Sequence, residues 1–387
     1  MSGAPPAIDA DNVDTAVRSL LHEPHATVTS WQARPMGWMN IMASDLLRLD
    51  GTASIPARDG LESVEWSLAL KVLRPPPNDE SGPAMGSQHP SDWNYWCTEA
   101  LLYQSGVLDK LEGDLRAPGC AAVTSAADGA LQIWLEFVRD TEPGKWTLER
   151  HALAARHLGV MNGLQRMREP QASEKLRRTW LRSWVAFHSG MVTRLAADGL
   201  WDRPDVLTVI RRPERVTALQ SKAEILLRGI ERLPQAFSHL DAWRQNLIAD
   251  GSRTVAIDWM FSGIAAVGEE AAGAIGGDLW DFEVGPEQAS ELEDAIFSGY
   301  VDGLHEAGWH GHDRHVRFGY AAALALRYGV LIPVWASFLH DEDSREWVEK
   351  KFGRTVDAVA HGWAEVLEFV LARADEADKL GTSIGLL

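Results

Sequence analysis

The sequence predicts an α+β protein in two lobes: a small antiparallel β-sheet lobe with one helix, then a larger, mainly α-helical lobe. Up to Val138 the chain is a succession of short alternating apolar runs separated by turn residues, with one clear helical pattern. Beyond Gly144 it becomes a series of amphipathic segments with helical period. At 387 residues it is also longer than a single core commonly serves. The lobes are accordingly placed at residues 1–140 and 141–387.

In order along the chain, residues 1–12 read as a frayed tail. Trp66–Leu73 has the length and alternation of a strand, with Leu68, Leu70 and Val72 on one side and Ala69 and Lys71 on the other. Arg74–Pro90 carries five prolines among polar residues and reads as a loop. A helix is expected from Ser91 as N-cap, with Trp93, Trp96, Ala100 and Tyr103 on one face and Glu99 about two turns in. Cys120–Ala127 and Ala130–Val138 form a hairpin around Asp128-Gly129. Thr147–Met161 is an amphipathic helix closed by Asn162-Gly163. Further helices are expected over about 173–197, 214–232, 286–307, 314–340 and 342–375.

Bulk properties exclude several classes. Lys and Arg total 37 against 55 Asp and Glu, a net charge of −18, which argues against a nucleic-acid binder. The balance permits a cationic small molecule, although solubility is its simplest reading. Two cysteines, Cys97 and Cys120, supply no disulfide framework. No basic-then-apolar leader opens the chain, and its most apolar stretch, Tyr320–Leu339, contains Arg327 and Pro333 and reads as a buried helix. A cytoplasmic protein without a membrane partner is the expectation.

The most informative stretch is His239-Leu240-Asp241, with Asn246 five positions after the Asp, and Thr254-Val255-Ala256-Ile257-Asp258 shortly beyond. Leu247–Ala249 and Thr254–Ile257 flank a Gly-containing turn and should pair as a hairpin, which sets Asn246 and Asp258 side by side at its open end. An amide oxygen and a carboxylate there are hard ligands suited to Mg²⁺. Asp241, on the preceding loop, can reach the same point as a base or a hydroxyl-orienting group. The plain alternative is a loop whose aspartates cap turns.

This stretch resembles the catalytic loop and metal-binding strand of the aminoglycoside phosphotransferase and choline kinase superfamily, whose two-lobed fold is similar to that of protein kinases. The resemblance runs from about residue 27 to about residue 310. It implies an ATP- and Mg²⁺-dependent transferase acting on a hydroxyl of a small molecule: an aminoglycoside-like antibiotic, a sugar or an amino alcohol. The first lobe would then bind nucleotide and the second would hold the catalytic and acceptor groups. Asp241 becomes the catalytic Asp, Asn246 and Asp258 the metal ligands, and His239 a brace for the loop. Ala69-Leu70-Lys71 resembles the strand whose Lys contacts phosphates and whose Ala lines the adenine slot. Glu99 is the helix glutamate pairing with Lys71, in a cleft expected to leave that pair partly exposed. Backbone groups of Glu136 to Val138 would bind adenine at the hinge.

Departures from the pattern are equally specific. Met36-Gly37-Trp38-Met39-Asn40, where a phosphate loop should turn, has one glycine, and Asp258 is followed by Trp259-Met260. Glu269 and Glu270 both match a further acidic position. A protein kinase is disfavoured, because His239-Leu240-Asp241 lacks the Arg and no Ala-Pro-Glu follows. A non-catalytic nucleotide-binding, pseudokinase-like protein is the alternative, opposed by the joint presence of Lys71, Asp241, Asn246 and Asp258. His310, His312 and His315 read as a polar loop entering a helix capped by Asp313, and Glu287, Glu291, Glu293 and Asp294 as a solvated face.

Overall fold

The computed structural model describes residues 8–37, 43–58, 60–76, 86–126, 128–167 and 177–387. Of the tail expected at residues 1–12, residues 1–7 lie outside the described set, and Ala10 already begins helix α1 (Ala10–Leu20). Asp9 caps it through Asp11 N–H, and Val13, Ala16 and Val17 are buried. The first lobe therefore has this helix as well as α2 (Thr98–Ser105). Its strands are β1 (Thr27–Pro35), β2 (Ala43–Ala57), β3 (Gly60–Leu73), β5 (Cys120–Ser125) and β6 (Leu131–Glu136), with a two-residue β4 (Leu115–Arg116) apart from them. They form an antiparallel sheet in the order β1-β2-β3-β6-β5.

Because β3 is paired on both sides, its alternation sorts side chains cleanly. Leu68, Leu70 and Val72 join the α1 helix in one cluster with Leu47, Leu49 and Trp134. Lys71 takes the opposite face, toward the second lobe. The expected helix from Ser91 does not form there: residues 91–97 are turns, and α2 starts at Thr98. Ser87 Oγ donates to Asp92 Oδ2 and Ser87 O accepts from Trp96 N–H, local bonds that compete with a helix just after Pro90. Trp93 and Trp96 thus precede the helix, and Glu99 sits in its first turn.

The second lobe contains α3 (Leu148–Met167), α4 (Trp180–Ala197), α5 (Pro204–Val209), α6 (Pro213–Glu231), β7 (Gln235–Ser238), β8 (Leu247–Asp250), β9 (Arg253–Ala256), β10 (Gly263–Ala266), α7 (Glu269–Trp280), α8 (Ala289–Glu306), α9 (Asp313–Ser337), α10 (Glu342–Phe352) and α11 (Val356–Ser383). Asn162-Gly163 does not close α3, which runs through it. Asn162 donates to Phe237 O and accepts from the Tyr300 hydroxyl. A Cβ at Gly159 would lie 2.1 Å from Tyr300 O, and one at Gly303 2.0 Å from Arg156 O. Gly159, Gly163, Gly299 and Gly303 instead let α3 and α8 cross in backbone contact.

Helix α9 is long and apolar enough to span a bilayer, but 83% of its apolar window is buried inside the protein. It is the central helix of the lobe, packed on α4, α6, α7 and α11. Its cap position is His312; Asp313 lies in the first turn and binds His305. The acidic set divides: Glu287, Glu291 and Asp294 are exposed, whereas Glu293 is buried between Arg317 and Arg373.

Candidate active site

Two features set the floor of the site. The hairpin β8–β9 pairs Leu247 with Ala256, and Ile257 N–H donates to Asn246 O at 2.9 Å. Asn246 therefore enters and Asp258 leaves at the same open end. The strand β4, from the first lobe, extends this hairpin by parallel pairing with β9, so that both lobes hold it. Asp140 of the connecting segment does the same from the other side, through Arg244 at 2.7 Å and Ala249 N–H at 3.2 Å.

The loop His239–Trp243 rests on α7. Cβ atoms at Gly273 and Gly277 would lie 2.8 Å from Leu240 O and 2.6 Å from Trp243 Cβ, so only glycines admit the loop this closely. Glu270 accepts from His239 N–H at 2.7 Å and Leu240 N–H at 3.0 Å. Burial pushes its pKa up to about 7 even against these donors. Glu269 instead accepts from Ala266 N–H. Of the two acidic candidates the loop brace is Glu270. Leu240 (φ 65°) and Asp258 (φ 60°) are held left-handed, a conformation that costs non-glycine residues and concentrates at sites over-determined by their surroundings.

His239 joins the loop to the hairpin. Its Nδ1 accepts from Asp241 N–H at 3.2 Å and its Nε2–H donates to Ile257 O at 2.9 Å, which requires a neutral ring. Burial lowers its pKa to about 4, consistent with that role.

Asp241 and Asn246 meet: Asn246 Nδ2 donates to Asp241 O at 2.9 Å and to Oδ2 at 2.8 Å. With the amide nitrogen so directed, its carbonyl oxygen is the atom left to a metal. Asp241 Oδ1 is paired with Arg327 Nη2 at 2.6 Å. Burial raises the Asp241 pKa, and the Arg327 charge opposes that rise. Sequence reasoning did not find Arg327 as a site residue. The available signal was an arginine inside the apolar Tyr320–Leu339 run, since a charge buried in a core helix requires a partner.

On the first-lobe side, Lys71 is buried, its side chain only 5% exposed, and bridges two carboxylates: Glu99 in the first turn of α2, and Asp258 Oδ1 at 2.7 Å. Burial alone would lower the lysine pKa; Asp258 and Glu99 outweigh it and hold the ammonium protonated. Glu99 also accepts from Trp259 N–H at 3.2 Å, fixing the residue after Asp258. The expectation of a partly exposed Lys71–Glu99 pair is corrected: the two side chains are only 5% and 1% exposed, with α2 packed on β5, β6 and the Trp259–Phe261 turn.

At the hinge, Ala69 shares the Lys71 face and lies between Arg48 and Leu135 in register. Glu136 is less available: its N–H donates to Gly119 O at 2.8 Å and its carboxylate holds Arg116 at 2.7 Å. Phe137 N–H donates to Ser67 O at 3.4 Å, so Val138 is the first residue past the ladder. In the expected phosphate turn, Trp38, Met39 and Asn40 lie outside the described residues.

The donor set at the hairpin mouth, the Asp258 carboxylate on the Lys71 ammonium and the Asn246 amide oxygen at the same open end, has the chemistry for Mg²⁺ with phosphates. Among the described residues, no three His, Cys, Asp or Glu side chains cluster as a metal site, at the hairpin mouth or near Trp309.

No family model and no curated protein matches the sequence. Solved structures do match over nearly the whole length. An aminoglycoside phosphotransferase from Alicyclobacillus acidocaldarius superposes with a TM-score of 0.52 at 12% identity, covering 97% of this chain and 98% of its own. A choline kinase from Cryptosporidium parvum gives 0.51 at 11% identity over 97% and 98%. A microcompartment-associated aminopropanol kinase gives 0.51 at 16% identity over 94% and 98%. The chain has the fold of the aminoglycoside phosphotransferase and choline kinase superfamily, and these structural neighbours are small-molecule kinases.

Proposed function

We propose that this protein is an active kinase that transfers the γ-phosphoryl group of ATP to a hydroxyl of a small molecule. The observation that carries this reading is the buried Lys71 ammonium, which links β3 and α2 to Asp258 at the mouth of the hairpin that also presents Asn246 and, beside it, Asp241. A protein that had abandoned catalysis would not need to bury a lysine between two carboxylates at a cleft.

In this reading Ala69 and the Val138 backbone hold adenine, and Lys71 contacts the phosphates, with Glu99 keeping the ammonium on station. Asn246 and Asp258 would hold Mg²⁺, which when bound neutralises charge on the phosphates. Asp241 orients the acceptor hydroxyl and takes its proton at a carboxylate oxygen. Rate enhancement comes mainly from positioning. The test is ATP consumption across sugars, amino alcohols and aminoglycosides, with Mg²⁺ and with a chelator. Acceptor-dependent consumption that requires the metal supports the reading, and nucleotide binding without turnover in the whole panel favours a non-catalytic protein.

A further inference from the structure

No residue next to Asp241 in the chain carries a positive charge: Leu240 precedes it and Ala242 follows it. The cation it pairs with comes instead from the middle of α9. There the Arg327 guanidinium spans two successive residues of the loop as a fork. Nη2 donates to Asp241 Oδ1 at 2.6 Å, and Nη1 donates to the carbonyl oxygen of Leu240. Leu240 is the residue held left-handed at φ 65°, so one planar group holds both the strained backbone and the carboxylate that follows it. The other carboxylate oxygen, Oδ2, accepts from Asn246 Nδ2 at 2.8 Å, and the Trp243 side chain also hydrogen-bonds the group.

The fork is itself fixed in place. Its guanidinium carbon lies 4.8 Å from the centre of the Trp180 ring, 5.2 Å from Tyr328, 5.5 Å from Trp184 and 5.8 Å from Phe261. Aromatic rings at this range attract a cation, which makes its burial tolerable. Trp184 Nε1–H donates to Arg327 O at 3.1 Å and ties α4 to the same turn of α9. On the α7 side, Gly273 leaves room for the fork: a Cβ there would lie 3.1 Å from Arg327 Nη1 and 2.8 Å from Leu240 O. With its side chain 7% exposed, Arg327 is too buried to meet an acceptor, whereas Asp241, at 19%, keeps an open edge. Any influence of Arg327 on a reaction therefore passes through Asp241.

We propose that Arg327 is a positioning residue for the transfer step: by holding Leu240 O and Asp241 Oδ1 together, it aims the carboxylate at the acceptor hydroxyl. This deepens the phosphotransferase reading and rests on it. A misplacement of about 1 Å costs about 100-fold in rate, so a residue that touches neither substrate nor nucleotide carries a large share of turnover. Lysine would keep the charge but lacks the planar fork, and holds the two oxygens less well.

The test is a double-mutant cycle with Asp241, read as turnover of an acceptor that the wild-type protein uses with Mg-ATP. Arg327→Met should lower kcat by about 100-fold and leave Mg-ATP affinity by calorimetry near wild type. Arg327→Lys should recover part of that loss. On an Asp241→Asn background, Arg327→Met should lower kcat by less than about twofold further, because residues that act as a unit do not add. Breaking any buried pair lowers the melting temperature, so the cycle decides and stability does not. A loss that persists in full on the Asp241→Asn background overturns the proposal, as does kcat within a few-fold of wild type in Arg327→Met. If Arg327→Met does not fold, Arg327→Lys supplies the same cycle, alone and with Asp241→Asn. A wild-type protein that turns over no acceptor removes the phosphotransferase reading and this inference with it, whereas wild-type turnover with additive losses removes only this inference.

Discussion

Two buried ion-paired groups lie at the candidate site, and they differ in how the chain builds them. Lys71–Glu99–Asp258 joins a strand, a helix terminus and a hairpin mouth, each of which presents its side chain by local geometry. Arg327–Asp241 joins a loop to the middle of the central helix α9, 86 residues away, and depends on how that helix packs. In the proposed kinase reading the first would hold phosphates and the second would meet the acceptor. The Lys71 group is thus specified by short-range pattern and the Arg327–Asp241 pair by tertiary packing.

The largest expected effect is on the acceptor side. Asp241→Asn should reduce turnover by about 100-fold or more, in keeping with loss of a positioned base, while Mg-ATP affinity measured by calorimetry stays near wild type. Turnover within a few-fold of wild type would remove Asp241 from catalysis.

On the nucleotide side, Lys71→Met should abolish productive Mg-ATP use and also destabilise the fold. It leaves Glu99, only 1% exposed, without its cation, and breaking a buried pair costs about 3–5 kcal/mol. A melting temperature unchanged from wild type would show that the pair is not closed as described. The comparison sharpens if Glu99→Gln, which keeps the shape but not the charge, harms nucleotide use more than acceptor use.

These outcomes bear on what was legible in the sequence. Period-two alternation is enough to put Lys71 opposite Leu70, and a Gly turn between two apolar runs is enough to bring Asn246 and Asp258 to one end. The helix start at Thr98 was not legible, because Ser87, Asp92 and Trp96 satisfy each other locally in a way no periodicity reveals. Asn162-Gly163 resembles a helix stop, yet its glycine serves the crossing with α8. A Cβ at Gly163 would lie 2.5 Å from Ala307 Cβ, a neighbour from a distant part of the chain that no local pattern announces. Arg327 was visible as an anomaly in an apolar run, but its partner depends on the path of α9.

Smaller effects test the packing beneath both halves. Gly159→Ala places a methyl group against Tyr300 O, and should cost about 1–3 kcal/mol in chemical denaturation with little change in KM. Glu270 gives a pH signature. Its pKa, about 7 in the folded protein against an ordinary 4.5, means that the folded state keeps a proton the unfolded chain releases between those values. Stability supplied through Glu270 therefore falls as pH rises from about 4.5 to about 7. The melting temperature of wild type relative to Glu270→Gln should decline across that window; a constant difference would show that Glu270 titrates normally.

Phosphorus NMR of the wild-type protein with Mg-ATP and each of a panel of sugars, amino alcohols and aminoglycosides tests the central claim most directly. Transfer predicts loss of the γ-phosphate resonance, appearance of ADP and of one phosphomonoester resonance, and none of this in Asp241→Asn. An ATP spectrum unchanged across the acceptor panel, or inorganic phosphate as the sole new species, would contradict it.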